Sequence, residues 1–291
     1  MIRKTRIILE MIKVEHTVFA LPFAFMGALI GAVMMEHRLP SWPEIGWILL
    51  AMIGARSAAM GLNRVVDRVM DAKNPRTAKR AIPAGLLKAG EVVVFIAVSF
   101  VVLFIAASQL DPICVKLMPI AVFFLVLYSY TKRFTWLCHV VLGITIGLAP
   151  LGGWIAVTGH LNPAAWVLYG SVVCWLAGFD TIYACQDIEF DRREGVYSIP
   201  ARFGLAGGLR IARGFHFLTA AGFISLYWLT DLGWIYLIGA IASVGFLWYE
   251  HMLVKPNDIS RVQTAFFTMN GALSITLFAF TLLDLVVLHP W

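Results

Sequence analysis

Nine stretches of about twenty mostly apolar residues recur along this 291-residue chain. They cover 17–35, 45–62, 92–110, 112–130, 136–157, 163–184, 214–229, 232–249 and 263–283. About 20 apolar residues in a helix cross the hydrocarbon of a bilayer. In lipid every backbone polar group must be bonded within the protein, which leaves helices for such segments. The expected fold is therefore all-α, a polytopic membrane protein with nine transmembrane helices. Charged residues are only 14% of the chain, against roughly 25% in soluble domains. One membrane domain, 1–291, is expected, and a turn at 230–233 is all that separates the seventh stretch from the eighth.

Lys and Arg alternate between the connecting segments. Arg3, Lys4, Arg6 and Lys13 precede the first stretch, and seven basic residues lie between Arg64 and Lys88. Lys132 and Arg133 follow the fourth stretch. Arg192, Arg193, Arg202, Arg210 and Arg213 follow the sixth, and Lys255 and Arg261 the eighth. The intervening segments carry little beyond Arg38. Cytoplasmic loops hold the positive excess, so the N-terminus and the even loops are expected in the cytoplasm and the C-terminus, with its terminal Trp291, on the far side. The net charge of +6 is accounted for in this way, without a nucleic-acid partner. The four cysteines show no CxxC spacing and read as small apolar residues of membrane helices. The basic start leads straight into a full-length span, so no cleavable leader is expected.

Two acidic stretches stand out against this background. Asn63, Asp67 and Asp71 recur every four residues, which on a helix sets them on one face. Lys73, Arg76, Lys79 and Arg80 follow. Asp187 and Asp191 repeat the spacing, and Asp180 lies one heptad earlier on the same face, about 10 Å deeper. The offset of 120 residues between the stretches, with an Ile-Pro closing each (Ile82-Pro83, Ile199-Pro200), hints at a weak repeat of 14–133 on 134–255. Two readings are open. The acids can be neutralised by nearby arginines. Alternatively they hold a hard divalent cation such as Mg²⁺, which takes carboxylates plus substrate phosphate oxygens, while the cations bind the phosphate. Both clusters fall at helix C-termini, where the dipole disfavours carboxylates, and that favours the metal.

Arg56 lies inside the second stretch, one heptad before Asn63. An Arg at membrane depth costs roughly 2.5–3.5 kcal/mol and faces a cavity or a partner. It either pairs internally, with Asp180 for example, or recognises the carboxylate of a substrate. Asp180 is the deepest acid and a candidate to orient or deprotonate a phenol. Lys13, Glu15 and His16 start the first span and are placed to reach a cavity. Arg68, Lys79 and Glu189 read as solvated or headgroup contacts, and Arg133 fits either role. A transporter with acids lining a path is the rival class, but transporter sites tend to lie at the midplane.

Asn63-x-x-x-Asp67-x-x-x-Asp71 with Arg76 to Arg80 and Pro83-x-Gly85 resembles the first motif of the UbiA superfamily of intramembrane prenyltransferases. Asp187-x-x-x-Asp191 is similar to its second motif, and Tyr128-Ser-Tyr-Thr-Lys132 to its YxxxK element. The resemblance covers the whole chain. It implies nine helices around a central cavity capped by cytoplasmic loops. It also implies transfer of a polyprenyl group from its diphosphate to an aromatic acceptor with Mg²⁺. By the same resemblance Asn63, Asp67, Asp71, Asp187 and Asp191 hold two Mg²⁺ ions, and Arg76, Arg80, Lys132 and Tyr128 hold the diphosphate. Two positions depart from the pattern of many quinone-pathway members: Arg64 stands for Asp and Tyr197 for Lys. The expected acceptor is 4-hydroxybenzoate, with a dihydroxynaphthoate second, and the expected place is a bacterial inner membrane.

The Lys and Arg alternation makes a testable statement about orientation. Single cysteines replacing Lys79 and Arg193 are expected to react with an impermeant thiol reagent from the cytoplasmic side, and one replacing His289 from the other. The reverse pattern at both basic loops would invert the topology.

Overall fold

The computed structural model describes residues 2–12 and 17–289, and among them the chain forms helices and turns with no β-sheet. In chain order the helices are α1 (Ile2–Met11), α2 (Thr17–Glu36), α3 (Trp42–Val66), α4 (Arg68–Lys73), α5 (Ala89–Ser108) and α6 (Pro112–Thr131). They continue with α7 (Cys138–Thr158), α8 (Pro163–Ala184), α9 (Ile188–Glu194), α10 (Ile199–Leu229), α11 (Trp234–Leu253) and α12 (Asn270–Leu288). Lys13, Glu15, His16 and Trp291 lie outside the described residues.

Several starts are written locally. Ser41, Asp111, Asn162 and Ser198 each accept a backbone N–H in the first turn of α3, α6, α8 and α10, and each of those helices has Pro at its first or second position. Eight of the described helices are long and apolar enough to cross a membrane. The nine expected from the sequence differ at the seventh. Residues 214–229 are the second half of α10, whose 31 residues reach back to Ile199 and are not among the eight. Arg202, Arg210 and Arg213 therefore ride on this helix instead of in a loop. Gly204 kinks it with φ of +72°, a conformation glycine adopts without steric cost.

The core is aromatic. Phe23, Trp175 and Phe223 are fully buried, with ring centroids 4.9 Å apart for Phe23 and Trp175. Trp175 donates its indole N–H to Asn270 Oδ1 at 2.6 Å. The Asn270 amide in turn donates to the carbonyls of Ala265 and Phe266 and to Glu250 Oε1. Those carbonyls belong to a π-helical turn, Thr264–Met269, that leads into α12. Wide turns free backbone acceptors, which in lipid must find donors, and Asn270 supplies them.

Packing of α2 on α7 depends on missing side chains. A Cβ at Gly153 would meet the Ala24 carbonyl oxygen at 2.1 Å, and one at Gly27 the Pro150 oxygen at 1.9 Å. Small residues let membrane helices approach to backbone contact, which is the main source of attraction between them in lipid. Gly153→Val is therefore expected to lower stability by about 1–3 kcal/mol, read as an earlier thermal transition in detergent. Gly152→Ala, one residue away with open space around it, is expected to leave the transition in place. Equal effects would show that the approach of α2 and α7 is not what matters.

Candidate active site

A cavity of about 1300 Å³ runs along the helices. One end is lined by Asn63, Arg64, Asp71, Arg76, Arg80, Lys132, Asp187 and Asp191. The other reaches Ile48, Leu110, Leu161 and Trp166, at the opposite ends of α3, α5, α7 and α8. Between them the walls are mostly apolar, with Leu103, Ala121, Phe124, Leu125, Leu142 and Ile146 among them. The site is thus a charged mouth over an apolar shaft about 30 Å long, the length of a twenty-residue helix.

The mouth is built from the segments that follow α3, α6 and α8. The acid ladder does not sit on one continuous helix. α3 ends at Val66, and Asp67 occupies a turn (φ −87°, ψ 0°) before α4 begins. Asp67 is fully buried and accepts hydrogen bonds from Asn63 Nδ2 at 2.8 Å, Lys132 Nζ at 2.5 Å and Arg133 Nη2 at 3.0 Å. It stands behind the cavity wall, whereas Asn63, Asp71, Asp187 and Asp191 are in it. Asp71 pairs with Arg80 at 2.7 Å, and Asp187 with Arg76 at 2.5 Å. Asp191 accepts from the Ser198 hydroxyl at 2.8 Å, the same hydroxyl that caps α10. Lys73 and Glu194, 2.9 Å apart, tie α4 to α9.

Among the described residues each first-motif acid has a basic partner, and no three His, Cys, Asp or Glu groups are drawn together as for a bound metal. The donor set nonetheless suits a hard cation. It is all oxygen, and Asp71 Oδ2 is buried without any hydrogen-bond partner. Arg76 is a permanent cation: burial works against its charge, but the hydrogen bonds and charge of Asp187 more than offset this and raise its pKa.

The remaining expected residues fall as follows. Tyr128 lines the cavity, but its hydroxyl donates to the Ala59 carbonyl at 2.8 Å, so it braces α6 on α3. Arg56 and Asp180 line the same cavity, about 10 Å deeper than the motifs. The partner of Asp180 is His139, whose Nδ1 lies 2.7 Å from Asp180 Oδ2. Arg64, the departure from the family pattern, is buried in the wall and donates to Asn63 Oδ1 at 3.1 Å. Lys79 is exposed at the rim, and Arg68 is exposed and donates to the Val65 carbonyl.

Sequence reasoning did not single out His139, Ser198 or the aromatic wall. Tyr183, Phe266 and Phe267 line the mouth. The Tyr183 ring lies 5.3 Å under the Arg76 guanidinium, and its hydroxyl accepts from Arg76 at 3.3 Å. The Ser198–Pro200 cap signal was present. A single His at the start of a span carried none.

A charged mouth opening on an apolar shaft inside a helical membrane protein is the form of an enzyme for amphiphiles with anionic heads. The comparisons with known proteins narrow that class. The profile of the UbiA prenyltransferase family matches residues 24–272. The apo structure of a UbiA homolog from Aeropyrum pernix K1 superposes with a TM-score of 0.84 at 30% identity, over 94% of this chain and 98% of that one. A 4-hydroxybenzoate solanesyltransferase of Synechocystis is 34% identical over 263 residues, 88% of each chain. A 4-hydroxybenzoate octaprenyltransferase of Shewanella sediminis is 28% identical over 244 residues, 84% of this chain and 85% of the relative. A UbiA homolog from Archaeoglobus fulgidus, solved bound to DMAPP and Mg²⁺, shares the fold at 16% identity with a TM-score of 0.74, over 96% of this chain and 99% of that one. The chain belongs to the UbiA prenyltransferase family, and it is an integral membrane enzyme.

The burial of Asp67 separates it from the other acids. Asp67→Ala leaves Lys132 and Arg133 without their shared carboxylate at the edge of the protein interior. It is expected to cost about 2–3 kcal/mol, somewhat less than a fully buried pair because both cations are partly exposed. Asp187→Ala, at a more open pair, is expected to cost less than half of that. Thermal unfolding of the two purified variants checks the order. A smaller loss for Asp67→Ala would remove its bracing role.

Proposed function

We propose that this protein transfers a polyprenyl group from its diphosphate to 4-hydroxybenzoate, at the ring carbon ortho to the hydroxyl, in the making of a quinone. The observation that carries this reading is one continuous cavity. It joins an acid-and-cation mouth to an apolar shaft, with one Arg and one Asp set between them. The relatives named as octaprenyl and solanesyl transferases of 4-hydroxybenzoate support the same substrates.

The diphosphate occupies the mouth and its tail the shaft. Asn63, Asp71, Asp187 and Asp191, which line the cavity, would hold Mg²⁺, with Asp67 bracing the wall behind them; the ion when bound offsets the charge collecting on the leaving diphosphate. Arg76, Arg80 and Lys132 exchange their carboxylate partners for phosphate oxygens, to which a guanidinium offers two parallel donors. Tyr128 keeps α6 in register with α3 while Lys132, one turn on, reaches the phosphate. Arg56 binds the acceptor's carboxylate and Asp180 its hydroxyl, which lays the ring under the allylic carbon. The C–O bond to the diphosphate breaks as the ring carbon attacks, and loss of the ring proton restores aromaticity. The apolar walls keep out water, which would otherwise capture the allylic cation. The Lys and Arg distribution supports a mouth at the cytoplasmic face of a bacterial inner membrane, and one domain formed by the whole chain.

Isolated membranes supplied with labelled polyprenyl diphosphates and a panel of aromatic acids test this. The expected product is the 3-polyprenyl derivative of 4-hydroxybenzoate, formed with Mg²⁺ and lost on chelation. Asp191→Ala is expected to lower turnover at least a hundredfold. Arg56→Gln is expected to raise the KM for 4-hydroxybenzoate roughly tenfold or more, the worth of a charge-assisted hydrogen bond, with the KM for the diphosphate unchanged. Transfer to a dihydroxynaphthoate alone, or full activity without divalent metal, would overturn the reading.

A further inference from the structure

We infer that His139 is a positioning residue for the acceptor, and that it acts by fixing the carboxylate of Asp180 on the cavity wall. The inference rests on the proposed function above and goes one residue beyond it.

The two side chains differ in what they can touch. The His139 ring is embedded in the wall with 4% of its surface exposed, and its Nε2 has neither solvent access nor a hydrogen-bond partner. The Asp180 side chain is 24% exposed and reaches the cavity. His139 also borders the cavity, but with little exposed surface and with its Nδ1 held by Asp180, so Asp180 is the group offered to a substrate hydroxyl. The bond of 2.7 Å between His139 Nδ1 and Asp180 Oδ2 takes one carboxylate oxygen. Oδ1 has no protein partner among the described residues. A carboxylate tied at one oxygen cannot rotate freely, so its other oxygen keeps a fixed place over the cavity.

The helices are shaped to make this contact. His139 sits in the first turn of α7, where the peptide dipole favours a nearby anion. One turn on, Gly143 lets α7 approach α8 until a Cβ there would lie 2.5 Å from the Val173 carbonyl oxygen. That approach brings the start of α7 against the Asp180 turn of α8. A polar ring with one unmade bond, buried at this depth, is a cost to the fold. The bond to Asp180 is what it obtains in return.

The chemistry follows with atoms and electrons in balance. The phenolic O–H donates to Asp180 Oδ1, and its proton moves to that oxygen as a ring π pair forms the new C–C bond. The C–O bond pair leaves with the diphosphate, and the ring becomes a dienone. The ring C–H proton then passes to the released diphosphate, Asp180 returns its proton to the phenolic oxygen, and the aromatic phenol is restored. A drifting Asp180 would weaken the electron push from oxygen at the moment the ring attacks.

The test compares 4-hydroxybenzoate with 4-methoxybenzoate, which lacks the donor proton. His139→Phe keeps the ring volume but removes the donor. It is expected to lower kcat on the hydroxy acid about ten- to a hundredfold, to leave the KM for the polyprenyl diphosphate within twofold, and to shrink the hydroxy-to-methoxy rate ratio. His139→Asn, whose amide N–H stands where Nδ1–H was, is expected to keep most of that ratio. His139→Phe in Asp180→Asn is expected to add nothing to Asp180→Asn alone, because both break one unit. An unmoved ratio in His139→Phe, additive losses in the double variant, or loss of diphosphate binding in both His139 variants would overturn the inference. Absence of transfer to 4-hydroxybenzoate by the unaltered enzyme would instead count against the proposed function.

Discussion

Charge pairing at the membrane mouth is the constraint on which the rest of the structure depends. Asp67 is fully buried and meets both Lys132 and Arg133. An unpaired carboxylate there would be too costly to keep ionised, and two unpaired cations hardly less so. The pairing fixes the end of α3 against the end of α6. The Asp187–Arg76 and Lys73–Glu194 pairs then draw the segments after α3 and α8 together over the same opening. Three connections far apart in sequence become one polar rim.

On the proposed function the rim is also a chemical device, its ion pairs giving way to a diphosphate and its cation. Arg76 meets Asp187 through two hydrogen bonds and Arg80 meets Asp71 through one, and both arginines line the cavity. An incoming diphosphate with its metal would offer each partner a better match. On that proposed function the carboxylates would turn to the cation and the guanidiniums to the phosphate. Arg64 adds a further cation to the wall and donates to Asn63 Oδ1.

Beneath the rim the aromatic wall joins the site to the core. Tyr183 supports Arg76, packs on Phe266 at 4.2 Å between ring centroids, and Phe266 lies in the π-helical turn secured by Asn270. Two consecutive aromatics, Phe266 and Phe267, of this π-helical turn line the cavity.

The sequence by itself determined the architecture and the chemistry available to it. Lengths of apolar segments fix membrane helices because hydrocarbon leaves the backbone no other partner. The start of α8 at Pro163, as expected from sequence, follows from its Asn-Pro cap. The recurring acids and the cations behind them were legible because charge beside lipid is rare and needs a reason. What only the tertiary structure decided is which charge meets which. Asp67 lies behind the wall and Asp71 in it, although four residues on one helix predict a shared face, because Lys132 and Arg133 at the end of α6 hold the Asp67 carboxylate on their side. Asp180 meets His139 because Gly143 lets two helices close to backbone contact, a distance set by a side chain that is absent. The reach of α10 back to Ile199 likewise depends on Ser198 serving both as cap and as partner of Asp191. Pairings of this kind are made across helices, by groups whose separation along the chain carries no trace of their separation in space.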